Sequence, residues 1–250
     1  MRRSRFVLAA IVVTCSAGAA HAQAAGTALS SFAVAVACAP PPSNDAAPPN
    51  ALRIIGSQDA LPRRLFSNRD LLVIGGGTSA GVQLGQRFFV RRTMIFGGGN
   101  RSPRSARTLG WLRVVAVNES TAIALVDHVC GGIEVSDYLE PFVEPVVSAD
   151  MEKDETPGQP DFTTLGHIVV GNESRGAAGI GDFVLIDWGQ AQGLTAGARF
   201  AIYRDVGVDG LPLTSIGEGV VISASHTMAL TRVTRARDAV FSGDYIALRR

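Results

Sequence analysis

The chain carries one stretch of sequence twice, and this duplication limits the folds open to it more than any single motif does. Asp70 to Arg92 (DLLVIGGGTSAGVQLGQRFFVRR) aligns without a gap on Asp182 to Arg204 (DFVLIDWGQAQGLTAGARFAIYR). Gly81, Gly85, Arg87, Phe88, Val90 and Arg92 fall on Gly193, Gly197, Arg199, Phe200, Ile202 and Arg204, so turn formers meet turn formers and core candidates meet core candidates. A second ungapped block sets Gly110 to Tyr138 against Gly217 to Tyr245. Repetition at this spacing predicts two copies of one small domain. Each copy has about 90 residues, enough to bury a core of its own.

Within each copy the hydrophobic periodicity is that of strands. Arg87-Phe88-Phe89-Val90 and Arg199-Phe200-Ala201-Ile202-Tyr203 place branched and aromatic side chains on alternate faces. Gly189, Gly193 and Gly197 recur every fourth residue, which suits tight turns and suits a helix interior badly. Leu109–Val117 and Thr121–Val126 form a predicted hairpin across Asn118-Glu119-Ser120, matched by Ser223–Val233. Asp137-Tyr138 and Asp244-Tyr245 open the final strand of each copy. Five or six short strands per copy predict an all-β chain of two tandem small barrels or sandwiches.

The predicted organisation is a leader over 1–22, a leading strand with a Pro-rich connector over 23–50, a first β-module over 51–142, an acidic Pro-containing linker over 143–164, and a second β-module over 165–250. The leader MRRSRFVLAAIVVTCSAGAAHA has arginines, then an apolar run from Phe6 to Val13, then small residues ending Ala20-His21-Ala22. That three-part pattern is a secretory signal peptide. The apolar run falls short of the roughly 20 residues a span needs, so no transmembrane segment is expected in the mature chain. The whole chain has 23 basic and 22 acidic residues; taking away Arg2, Arg3 and Arg5 leaves 20 against 22. This balance does not favour a nucleic-acid partner, which calls for a basic stripe.

After leader removal two cysteines remain, Cys38 and Cys130, and neither has a counterpart in the second copy. Export permits a disulfide between them, tying the leading strand Phe32–Cys38 to the first module. Two free thiols, or lipidation of Cys38 after Ala35-Val36-Ala37, are the alternatives.

The pattern G-[VL]-x-x-G-x-x-F-x-[VI]-x-R, with the ending Ser242-Gly243-Asp244-Tyr245, resembles the small SH3-like β-modules at the C-terminus of flagellar assembly protein T and related LysM-associated modules of bacterial envelope proteins. The resemblance implies two SH3-like barrels acting as non-catalytic assembly or attachment domains outside the inner membrane.

Motifs that would carry chemistry lack their context. Gly75-Gly76-Gly77-Thr78-Ser79-Ala80 satisfies a dinucleotide-binding fingerprint, yet strand-like sequence follows where a helix should start, and no acidic residue occurs from Val82 to Asn118. Asp127-His128-x-Cys130 offers metal donors but falls short of the four a structural zinc site uses. His167 and His226 stand isolated, and Asp70, Asp137, Asp182 and Asp244 are expected to cap turns. No catalytic residue, cofactor or metal is therefore assigned. The first module alone carries an insertion, Thr93–Thr108, with three consecutive glycines and several arginines. Arg91, Arg92, Arg101, Arg104 and Arg107 are the candidate partner-contact residues, suited to an envelope protein or an anionic envelope polymer. The expected role is an exported, periplasmic or outer-membrane-associated binding protein. The alternatives are an extracytoplasmic enzyme with a site between the modules, or an adaptor of a motility or secretion apparatus.

Overall fold

The computed structural model describes residues 29–43, 47–95, 104–153, 157–171 and 176–250. The leader lies outside the described residues. Among them no helix is long and apolar enough to cross a membrane.

The chain is mostly β. Its first sheet contains β1 (Ile54–Ser57), β2 (Leu71–Ile74), β3 (Arg87–Ile95), β4 (Arg104–Val117), β5 (Ala122–Val129) and β6 (Tyr138–Pro141), in the order β1-β2-β5-β4-β3-β6. Its edges meet: Arg53 bridges Tyr138, Ile54 donates its N–H to the Asp137 carbonyl at 3.0 Å, and Leu139 donates to Leu52 at 2.8 Å. The second unit contains β7 (Gly166–Gly171), β8 (Ala177–Ala178), β9 (Phe183–Ile186), β10 (Arg199–Arg204), β11 (Thr214–Ala224), β12 (Ala229–Ala236), β13 (Val240–Phe241) and β14 (Tyr245–Leu248). Six of these close into a barrel in the order β10-β11-β12-β9-β7-β14, and β8 pairs with β13 apart from it. Closure pairs each of those six strands on both sides.

The duplication holds at the level of single contacts. The β8–β13 pair, Ala178 opposite Val240, has its counterpart in the isolated bridge of Phe66 to Ile133. Gly81 and Gly193 both sit at positive φ, +77° and +79°, ending matching 3-10 turns at Thr78–Ala80 and Gln190–Gln192. Gly75–Gly77 thus lead into a single 3-10 turn and then into β3. Asp70, Asp137, Asp182 and Asp244 accept the N–H of Ser67, Glu134, Gly179 and Phe241 at 2.7, 2.7, 2.8 and 2.7 Å. Each aspartate caps a turn, as Asx side chains do. Each unit fills with its own inward set, among them Ile54, Leu72, Ile74, Val90, Leu112 and Val126 in the first, and Ile168, Val184, Ile186, Phe200, Ile202 and Val233 in the second.

The leading strand expected over Phe32–Cys38 is a helix instead, α1 (Ser31–Cys38). Alternation of Ala with Phe and Val imitates a strand, but three alanines in eight residues favour a helix. Ser30 supplies the start by accepting the Ala33 N–H at 3.1 Å on its hydroxyl oxygen. No strand partner competes, because the first ring already closes on itself.

Candidate functional site

The site is built where α1 lies between the two units. Along β3 the side chains alternate, so Phe88 and Val90 enter the first core while Phe89 and Arg91 point away from it. Strand register then lines up Glu140, Phe89, Trp111 and His128 as one row across β6, β3, β4 and β5. Phe142 joins the row, its ring centroid 4.5 Å from Phe89 and 5.6 Å from Trp111, and His128 stacks on Trp111 at 4.4 Å. Ala37, Val34 and Cys38 of α1 cover this aromatic surface. Its counterpart row in the second unit reads Ala247, Ala201, Glu218 and Arg235. There Glu218 is held by Arg249 at 2.5 Å, so no apolar platform forms.

The opposite side of α1 meets a different face of the second barrel. Phe32, Ala35 and Val36 pack against Phe183, Leu185, Val220, Ile222 and Leu230, and the Arg232 guanidinium stands over the Phe32 ring at 5.8 Å. Cys38 and Cys130 are joined as a disulfide with Cα atoms 5.4 Å apart, fastening the end of α1 to the first unit. On the loop-entropy model a bridge across 92 residues stabilises by about 4–5 kcal/mol.

Arg91 organises the floor of the junction. It is only 6% exposed, and its guanidinium donates to Glu140 at 3.3 Å and to the Thr108 hydroxyl. Thr108 in turn donates to the Ala39 carbonyl at 2.7 Å, just past the end of α1. Burial pushes the Arg91 guanidinium below its usual range, with Glu140 opposing. From the far side, the segment after β6 returns across the second barrel. Arg199 donates to the Asp150 and Lys153 carbonyls at 2.5 and 2.8 Å, and Met151 is buried against that barrel. Between this segment and the second barrel runs an apolar groove of about 640 Å³, lined in part by Val143, Val146, Met151, Leu194 and Ile222. A second hollow of about 260 Å³ shares Val143, Val146 and Ile222 with it and reaches Pro40–Pro42, Phe89 and Arg91. The combination falls in the size range of ligand sites, which favour such junctions.

The five arginines named from sequence separate. Arg91 is an internal brace of the junction. Arg92 stands on the opposite face of β3, where Asp137 takes its Nε and Nη2 at 2.7 and 2.9 Å and Glu134 takes Nη1 at 3.1 Å. Those bonds, led by the one to Asp137, raise the Arg92 pKa; burial pushes the Asp137 carboxyl up while Arg92 pulls it back. Arg107 is half-buried opposite Arg92 in the ladder. Arg101 lies outside the described residues, and Arg104 begins β4.

Two pairings were not read from the sequence. Arg204 and Asp244 repeat the Arg92–Asp137 fork at 2.7 Å for both bonds, and the matched positions in the two copies were its available signal. His167 pairs through Nδ1 with Asp187 at 3.0 Å, beside the Tyr245 ring. Comparison with protein-family models and with curated proteins finds no match.

Proposed function

We propose that this chain is an exported, non-catalytic binding component of the bacterial cell envelope, periplasmic or outer-membrane-associated, in which two SH3-like barrels are joined so that their junction grips a partner. The observation that carries this reading is where the two copies have diverged. Their cores and turn caps match position by position, whereas the aromatic row of the first copy gives way to Ala201, Glu218 and Arg235 in the second, and the outer face of the second carries Val220 and Met228 where the first has Arg113 and Thr121. Those two diverged surfaces are the ones brought together around α1. The groove beside them is lined by Val, Pro, Leu, Ile and Met, with Glu144, Gln190, Thr195 and Ser223 as polar members. Such a lining recognises by contact and desolvation, with a few polar groups setting orientation. The partner is an envelope protein seated in the groove, with the arginines of the Thr93–Thr108 insertion as the contact for an anionic polymer.

Val146, 88% exposed on the groove wall, is the position to interrogate. A photo-crosslinking amino acid at Val146 in intact cells should capture one envelope partner, while the same group at exposed Leu61 should not. Val146→Glu and Arg107→Glu should each loosen retention in the envelope fraction. Equal crosslinking at both positions together with unchanged fractionation would refute the reading.

A further inference from the structure

Beside the junction the fold assembles three soft-metal donors that the sequence separates. His128 and Cys130 are two residues apart on and just after β5, so their side chains leave the same face. Cys38 arrives above them at the end of α1. The two sulfurs and an imidazole nitrogen all lie within 4.8 Å of one another, and each residue is half-buried, within reach of solvent reagents. Stacking against Trp111 holds the His128 ring in place. The corresponding positions of the second barrel are Arg235 and Arg237, so the set belongs to the first barrel alone.

We infer that Cys38, His128 and Cys130 form a copper(I) site when the Cys38–Cys130 disulfide is opened to the dithiol. A dithiol reductant attacks one sulfur and leaves as its own disulfide; two electrons pass to the protein, the S–S bond breaks, and two Cys S–H groups form with two protons taken up. Copper(I) then displaces both thiol protons and is held by two thiolates and the imidazole. Reoxidation by an exchangeable disulfide returns the two electrons to that oxidant, remakes the S–S bond and expels the ion. Donor chemistry selects the metal. Soft thiolates favour copper(I) and zinc; zinc at this two-cysteine, one-histidine set would need a water to complete its four-coordination, whereas copper(I) is satisfied by the three donors that this cluster offers among the described residues. The bound unit carries one net negative charge, and the Arg107 guanidinium lies against Gly131, the residue following Cys130. The metal would thereby replace the disulfide as the link between α1 and the first barrel. This inference does not depend on the partner-binding reading.

The test uses the full chain with Cys15→Ser, so that only Cys38 and Cys130 are titrated. After phosphine reduction and anaerobic removal of the phosphine, the chain is titrated with the copper(I)–bicinchoninate chelate. The reduced chain should withdraw one copper per molecule and the disulfide form none. In a Trp188→Phe background the emission of Trp111 should be quenched in step with loading. His128→Asn should weaken copper binding about tenfold or more, with the disulfide and the thermal stability of the oxidised chain preserved. A reduced chain that takes no copper, an oxidised chain that takes as much, or a His128→Asn chain that binds as tightly as the parent would each overturn the proposal.

Discussion

Gly217 shows how single residues specify this fold. A Cβ at that position would stand 2.2 Å from the Arg235 carbonyl oxygen of the neighbouring strand, and its counterpart Gly110 meets the His128 carbonyl at 2.1 Å. Backbone cannot yield as a flexible side chain can, so Gly217→Ala should destabilise by about 2–4 kcal/mol in denaturant unfolding. Gly56 has open space around it, and Gly56→Ala should stay within about 0.5 kcal/mol. The Arg204–Asp244 fork gives a second prediction. Asp244 is buried, so Arg204→Met strands a carboxylate and should cost about 3 kcal/mol. Adding Asp244→Asn should recover part of that loss, since the charge disappears while an amide oxygen still accepts the Phe241 N–H. At this scale the sequence was partly legible. The arginines and aspartates were visible as matched positions, but their pairing depends on strands 40 residues apart coming into register.

Helix α1 is the element least legible in advance. Its Phe-Ala-Val-Ala-Val-Ala run has the period of a strand, and what makes it helical is a serine cap and the absence of a strand to pair with. Apolar residues on all sides mark it as an element buried between two partners, which only the assembled molecule supplies. Ser30→Ala should raise hydrogen exchange across α1 and cost about 1 kcal/mol. Removing the bridge by Cys38→Ala with Cys130→Ala should cost about 2–5 kcal/mol. Exchange protection should fall in α1 while persisting in β9 and β12, whose hydrogen bonds close within the second barrel. Uniform loss across the chain would contradict the placement of the bridge at α1. The disulfide partners themselves were readable, because two cysteines added to one copy of a duplicated chain have little else to pair with.

For the whole molecule, the duplication is the feature that sequence conveyed best: strands, turns and caps recur at matched positions. The junction was not conveyed, since its walls come from a helix, both connectors and different faces of two related units. A heterologous contact of this kind leaves no periodic trace, and its apolar residues look like additional core. The account therefore rests on α1 uniting two units that would otherwise tumble as beads on a string. Backbone 15N relaxation of the oxidised full chain tests this directly. One rotational correlation time shared by the amides of β2–β5 and those of β9–β12 is the predicted result; two separate, shorter times, one for each barrel, would contradict it.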